Sequence, residues 1–136
     1  MRTVHLIFLI PDRSAQQVYE RLSAFERYPD LCDAVQSVHI RSGDVADISV
    51  SEWEVKFRAG LLRWIEEDTF DRDRHQISFR QLEGDMALFE GFWRCDAVDG
   101  ATELVFSSTL DMGIPSLADA LEPIAVRTFR MDTLPG

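Results

Sequence analysis

The sequence predicts an α+β fold, in which six to seven antiparallel strands form a curved sheet with helices gathered on one face. From Val35 to Met112 apolar residues recur with a period of two, and Gly or Asp marks turns at short, regular intervals. Before and after this region the apolar spacing is that of a helix. The length of 136 residues suits one domain with a core, so we expect a single domain over residues 1–136.

The elements follow from local signals. The apolar run "VHLIFLI" (residues 4–10) predicts a buried first strand, since it is short and lacks a cleavage site for a signal peptide. Ser14 and Gln17 have the spacing of a capping box and predict the start of a helix that Pro29 interrupts. After the strands, "PSLADALEPIAVRTFRM" (residues 115–131) predicts a C-terminal helix.

Composition excludes several classes of function. The net charge of −10 argues against a nucleic-acid partner and against an anionic membrane surface, because both attract clustered Lys and Arg. No segment approaches the about 20 apolar residues of a membrane span. The two cysteines form no CxxC motif and the three histidines lack metal-ligand spacing, so we expect a cytoplasmic protein with neither a metal nor another cofactor.

Turn signals predict which residues share a face of the sheet, because directly paired residues in a hairpin point the same way. A two-residue turn at Asp99–Gly100 pairs Trp93 with Phe106, and a three-residue turn at residues 84–86 sets Ile77 beside Trp93. Turns at Asp73–Arg74 and Ala59–Gly60 then pair Glu66 with Gln81 and Trp53 with Glu66. The hairpin at Ser42–Asp44 gives no clear register, and we expect a bulge there.

The segment "RWIEEDTFD" (residues 63–71) is the most informative part of this pattern. Its Glu66 and Asp68 fall on the apolar face, whereas Glu67 falls on the outer face with Arg80. The apolar face also carries Trp53, Trp64, Phe70, Phe79, Phe89, Trp93 and Phe106. An unpaired buried carboxylate costs several kcal/mol, so this face predicts a cavity that holds water or a flat apolar ligand.

Four segments resemble the polyketide cyclase/dehydrase branch of the START and birch-pollen-allergen superfamily, which includes bacterial aromatase/cyclases and coenzyme Q-binding proteins. They are "FERYPDL" (residues 25–31), "RWIEEDTFD", "ISFRQLEGDMALFEGFW" (residues 77–93) and "LDMGIPSLADALEPIA" (residues 110–125). The resemblance implies the helix-grip fold, in which a seven-stranded sheet wraps a C-terminal helix around an internal hydrophobic cavity.

By motif, the cavity positions of that branch fall on Trp64, Glu66, Asp68 and Trp93. The aromatase/cyclases have an arginine of catalytic importance at the position of Asp68. An acid in this place means that their mechanism does not transfer directly to this chain.

Two classes of function are compatible with these features. In the first, an enzyme folds a poly-β-ketone or polycyclic intermediate and promotes aldol cyclisation and dehydration, with Glu66 moving protons together with Asp68 or Gln81. The ligand-binding residues would be Trp53, Trp64, Phe70, Phe79, Phe89, Trp93, Phe106 and Ser108. In the second, the protein carries a quinone or lipid without turnover, and Glu66 is a rim carboxylate bonded to Gln81.

A protein that binds a partner, and in which the cavity is vestigial, is a third possibility. In the first two cases the partner is a hydrophobic or aromatic small molecule, which an acyl carrier protein could deliver. The sequence leaves the oligomeric state open, a homodimer included.

Overall fold

The computed structural model describes residues 2–41, 47–57 and 60–111. In chain order the elements are β1 (Arg2–Pro11), α1 (Ala15–Ser23), a 3₁₀ turn (Phe25–Arg27), α2 (Tyr28–Leu31), β2 (Val35–Arg41), β3 (Ile48–Phe57), β4 (Gly60–Asp71), β5 (Gln76–Gly84), β6 (Leu88–Val98) and β7 (Ala101–Asp111). The predicted C-terminal helix and the predicted bulge at Ser42–Asp44 lie outside the described residues.

The strands form one antiparallel sheet in the order β1-β7-β6-β5-β4-β3-β2. This confirms the prediction of an α+β fold with a sheet of six to seven antiparallel strands. Strand β4, which carries the acidic segment, lies in the interior of the sheet between β3 and β5. Residues on its inner face are therefore flanked by side chains from both neighbouring strands.

Helix α1 begins where the sequence predicts. The Ser14 hydroxyl accepts from the Gln17 backbone N–H at 3.1 Å, and the Gln17 side chain accepts from the Ser14 backbone N–H at 2.9 Å. These two bonds form the predicted capping box. Val18 and Leu22 are buried in the core together with side chains of the sheet, so the apolar face of α1 covers one face of the sheet. Pro29 lies in the first turn of α2, where its missing N–H is tolerated.

Three of the predicted hairpin registers agree with the structure. Trp93 pairs with Phe106 across β6 and β7, and Ile77 pairs with Trp93 across β5 and β6. Glu66 pairs with Gln81 across β4 and β5. The inward set of aromatic and acidic side chains is therefore the one that the turn signals predicted.

The predicted register of β3 and β4 is wrong by two residues. Trp53 pairs with Trp64 rather than with Glu66, and Ser51 pairs with Glu66. The strand pair continues to Phe57 and Gly60, so Gly60 belongs to β4 and not to the turn. The observed register lets the two indole rings stack, and such cross-strand aromatic pairs stabilise a sheet. A shift of two residues leaves every side chain on its predicted face.

The first strand is less buried than predicted. Among the described strands β1 lies at an edge of the sheet, where β7 is its one neighbour. Val4 and Ile10 are in the core, whereas Ile7 and Leu9 are 57% and 65% exposed. An apolar run of this length alone does not distinguish a strand covered on both faces from one covered on a single face.

The outer face of the sheet is charged. Arg80 Nε lies 3.1 Å from Glu67 Oε1, and Arg63 Nε lies 3.7 Å from Glu54 Oε2. Glu67 and Arg80 therefore lie on the outer face, as the sequence predicts. Within the described ranges no helix is long and apolar enough to cross a membrane.

Candidate functional site

Two carboxyl groups are buried side by side on the inner face of β4. Glu66 is 6% exposed and Asp68 is fully buried. Since they are two residues apart in a strand, both side chains point to the same face of the sheet, where they line one pocket. No ion pair of the described residues includes either acid. The pair therefore lies away from the charged outer face, in the part of the sheet that is lined by aromatic rings.

Each carboxyl group receives a hydrogen bond from a different donor. The Trp64 indole Nε1–H donates to Glu66 Oε1 at 2.7 Å. The Ser51 hydroxyl donates to Asp68 Oδ2 at 2.5 Å, and the Trp53 indole Nε1–H donates to the Ser51 hydroxyl at 2.8 Å. The two indole rings stack with centroids 5.9 Å apart and planes 3° from parallel. The stacked indoles thus direct both N–H groups toward the acidic pair.

The environment favours a protonated carboxyl group on Glu66. Burial raises the pKa of Glu66 well above its usual range, and the neighbouring Asp68 raises it further. Burial also raises the pKa of Asp68, while its interaction with Glu66 and the hydrogen bond from Ser51 oppose that rise. Two neighbouring carboxyl groups do not both ionise readily, and here burial and the nearby Asp68 favour the protonated form of Glu66.

The pair opens onto a small pocket with a volume of about 40 Å³. Its walls are mostly aromatic. They are formed by Phe25, Tyr28, Trp53, Val55, Trp64, Glu66, Asp68, Ile77, Phe79, Phe89, Trp93 and Phe106. Ring pairs fill the spaces between strands: Phe79 and Phe89 have centroids 4.8 Å apart, and Trp93 and Phe106 have centroids 4.4 Å apart. This space has room for about one to three water molecules.

The structure brings together most of the predicted site. Both acids and six of the predicted ligand-binding aromatic residues line the pocket, but Phe70, Gln81 and Ser108 do not. Phe70 contacts the ring of Phe25 and lines a more open groove beside α1. Ser108 is buried on the inner face of β7, and its hydroxyl has no partner among the described residues.

Gln81 is placed differently from its predicted role. It pairs with Glu66 in the sheet, but its side-chain N–H donates to the Met86 carbonyl at 2.5 Å. The expected bond between Glu66 and Gln81 is therefore absent, and Trp64 takes its place as the donor to Glu66. Gln81 instead ties β5 to the connection that leads into β6.

Sequence reasoning missed three residues at the site. Ser51 is fully buried and bonds directly to Asp68. Its position two residues before Trp53 was the sequence feature that could have identified it, because it places Ser51 on the same face of β3 as Trp53. Phe25 and Tyr28 line the pocket from the helical segment, and both rings contact Trp53 edge-on. The Tyr28 hydroxyl donates to the Leu22 carbonyl at 2.5 Å, so this ring is fixed in place.

An irregularity in the sheet positions Trp64 and Glu66. The register of β4 and β5 shifts between Ile65 and Glu66, and Gly84 lies opposite Trp64 with φ +153°. A Cβ atom at Gly84 would lie 2.6 Å from the Trp64 Cα atom, so only glycine allows this approach. Bulges of this kind are frequent next to functional sites, because they redirect side chains.

The described part of the chain contains no group of three or more His, Cys, Asp or Glu side chains that could hold a metal ion. Cys95 is buried, and burial raises the pKa of its thiol to about 12. A thiol with this pKa is a poor nucleophile, so Cys95 contributes to the core rather than to chemistry.

Comparisons with solved structures place the fold. The chain is 20% identical to the Zhui aromatase/cyclase of Streptomyces sp. R1128, with a TM-score of 0.81 over 95% of this chain and 89% of that one. A START superfamily protein of Mycobacterium smegmatis is 17% identical, with a TM-score of 0.71 over 94% of this chain and 89% of that one. The ginseng major latex-like protein 151 of Panax ginseng is 19% identical, with a TM-score of 0.75 over 98% of this chain and 99% of that one. At these identities the likeness concerns the fold.

A sequence search against curated proteins gives no match. In contrast, the family model described as "Polyketide cyclase / dehydrase and lipid transport" matches residues 11–131. The match covers nearly the whole chain and includes every residue of the pocket. The chain therefore belongs to the polyketide cyclase/dehydrase and lipid transport family.

Proposed function

We propose that the protein is a cyclase of the aromatase/cyclase type, acting as one domain on a poly-β-ketone or a related polycyclic intermediate. The observation that supports this most strongly is the pair of buried acids, Glu66 and Asp68, which lie together in an aromatic pocket. A carrier of an apolar ligand gains little from burying two carboxyl groups, whereas an acid/base catalyst needs a group that holds its proton near neutral pH.

The pair suits an aldol condensation because this reaction needs one base and one acid. The Asp68 carboxylate removes a proton from the carbon next to one carbonyl group. The resulting enolate attacks a second carbonyl carbon, a carbon–carbon bond forms, and Glu66 gives its proton to the second carbonyl oxygen. A proton passing from Asp68 to Glu66 restores the starting state. The ring closes in this aldol step. In the following dehydration the base removes another α proton and the acid protonates the hydroxyl group, so water leaves and a carbon–carbon double bond forms with no redox change.

The aromatic walls favour flat ligands. Indole and phenyl rings stack on conjugated rings and quinones, and the pocket offers such faces on several sides. Its volume of about 40 Å³ is far below the roughly 300 to 1,000 Å³ of small-molecule sites, so the walls must move apart when a ligand binds. Delivery by an acyl carrier protein and formation of a homodimer stay predictions from the family resemblance.

The second candidate function is transport of a quinone or lipid. It is favoured by the strongly apolar lining of the pocket and by the family description, which includes lipid transport. Asp68 also stands where aromatase/cyclases have an arginine, so a cyclase built on this pair would use a different arrangement of acid and base.

One experiment separates the two functions. Naphthoquinone is titrated while tryptophan emission is recorded, since two stacked indoles line the pocket. The protein is then incubated with a diketone whose carbonyl groups are spaced to close a cyclohexenone, and enone absorbance is followed. We expect quenching and many product molecules formed per protein. Quenching with no enone formation above the buffer rate supports the carrier, and absence of both contradicts the pocket as a ligand site.

A further inference from the structure

Ser51 occupies a special place beside the acidic pair. It is fully buried in β3 and pairs directly with Glu66 across the sheet, yet its hydroxyl donates to Asp68 Oδ2 at 2.5 Å. On its other side the hydroxyl oxygen accepts from Trp53 Nε1–H at 2.8 Å. Ser51 is thus the link between one of the stacked indoles and one of the two acids.

The hydrogen bonds of this chain run from Trp53 through Ser51 to Asp68. An indole N–H can only donate, so the Ser51 oxygen accepts from Trp53, and the Ser51 hydroxyl donates in turn to Asp68. Asp68 Oδ2 is therefore held as an acceptor. A hydroxyl-to-oxygen distance of 2.5 Å lies in the range of bonds to an ionised carboxylate, which are shorter and stronger than neutral ones.

The donor at the other acid is a single indole N–H. Glu66 Oε1 accepts from Trp64 Nε1–H at 2.7 Å, and this donor is a neutral indole with no further donor behind it. Both acids thus have one donor each, but the donor of Asp68 is a hydroxyl that Trp53 polarises. The difference stabilises the ionised form of Asp68 more than that of Glu66.

We propose that Ser51, supported by Trp53, is a positioning residue that assigns the shared proton to Glu66 and keeps Asp68 ionised. In the proposed reaction this assignment makes Glu66 the acid and Asp68 the base. Only the activity readout of this inference rests on the proposed function, because the location of the proton can be measured without a substrate.

The test uses Ser51→Ala, with Ser51→Thr as the matched variant that keeps the hydroxyl. The side-chain carboxyl carbons and the indole N–H groups of Trp53 and Trp64 are followed by NMR as a function of pH. In the parent we expect two steps, with Asp68 titrating in the lower one. Loss of a hydrogen bond to a charged group should move that step up by about one pH unit in Ser51→Ala. In Ser51→Thr, which keeps the hydroxyl group, the lower step should stay at the pH that it has in the parent.

The acidic limb of the pH–rate profile for the diketone should move together with the lower step. Unchanged titration in a folded Ser51→Ala protein would overturn the assignment. If Ser51→Ala fails to fold, Trp53→Phe removes the N–H behind Ser51 and should move the lower step in the same direction by a smaller amount; no movement there would also overturn it. A shifted titration in a protein without diketone turnover would leave the assignment standing and refute the proposed cyclase instead.

Discussion

Glu66 and Glu67 are neighbours in β4 that point to opposite faces of the sheet, and the two faces give the same chemical group different properties. Glu67 lies on the outer face, where Arg80 Nε is 3.1 Å from its Oε1. Glu66 is buried beside Asp68, with a raised pKa and an indole as its donor. Burial and the neighbouring Asp68, rather than the type of residue, thus raise the pKa of Glu66 and favour its protonated form.

The largest expected difference between the two faces is in catalysis. Glu66→Gln keeps the shape of the side chain and its acceptor oxygen for Trp64, but removes the exchangeable proton. We expect turnover of the diketone to fall by about 10² to 10⁴, the usual contribution of a general acid or base. Naphthoquinone quenching should be close to that of the parent.

Glu67→Gln is the matched control for this experiment, since it makes the same chemical change one residue away on the outer face. It should retain parental turnover. Equal losses of turnover in both variants would show that Glu66 has no specific role in catalysis and that any change in this strand lowers activity.

The next largest effect should come from filling space on the inner face. A Cβ atom at Gly91, which pairs with Ser108, would collide with the Ser107 carbonyl oxygen and the Ser108 Cα atom. We expect Gly91→Ala to lower the free energy of unfolding by about 1 to 3 kcal/mol, measured by urea denaturation. At Gly60 the nearest atom is 4.0 Å away, so Gly60→Ala should change stability by less than about 0.5 kcal/mol. Similar losses at both positions would contradict the close packing of the inner face.

The pH dependence of stability gives a smaller but more specific signal. Because the pKa of Glu66 is raised in the folded protein, the folded state binds more protons than the unfolded state above about pH 4.3. The contribution of Glu66 to stability is complete below that pH. It is lost as the pH rises through the pKa that Glu66 has in the folded protein. The stability of the parent relative to Glu66→Gln should therefore fall with rising pH, by up to about 1.4 kcal/mol per pH unit. A difference that stays constant from pH 4 to pH 8 would show that Glu66 titrates alike in both states.

The smallest effect should be the coupling between Glu67 and Arg80. Both side chains are partly exposed, with 31% and 60% of their surface accessible. A double-mutant cycle of Glu67→Gln and Arg80→Gln should give about 0.2 to 1 kcal/mol, and less at high salt. A coupling of several kcal/mol would mean that the Glu67 carboxylate is shielded from solvent as strongly as the buried acids, and would contradict its placement on the outer face.

The sequence predicted which face each acid takes, because this depends only on the parity of the strand positions. A register shift of two residues preserves parity, so the wrong register of β3 and β4 did not affect the placement of Glu66 and Asp68. The register itself was not predictable from the turn. A glycine next to the hairpin suggested one alignment, while the stacking of Trp53 on Trp64 stabilises another. Packing across strands prevailed over local turn preference.

The donors of the site were harder to predict than the acids. The sequence predicted Trp53 and Trp64 as aromatic residues that line the cavity. It did not predict that each indole N–H donates to a polar side chain two residues away on the same strand, because these bonds depend on the side-chain rotamers. In the observed register Ser51 pairs with Glu66, and its hydroxyl reaches Asp68 diagonally across β3 and β4. Tyr28 comes from a separate helical segment, and no pattern within the strands indicates that its ring contacts Trp53.

The central claim is that Glu66 and Asp68 share one proton at neutral pH, and infrared difference spectroscopy tests it most directly. A protonated carboxyl group has a carbonyl stretching band that is separate from the bands of carboxylates and amides. We predict this band at pH 7 in the parent and in Glu67→Gln, with a shift on exchange into heavy water, and its loss in Glu66→Gln. A parent spectrum without the band at pH 7, or an unchanged band in Glu66→Gln, would contradict the account.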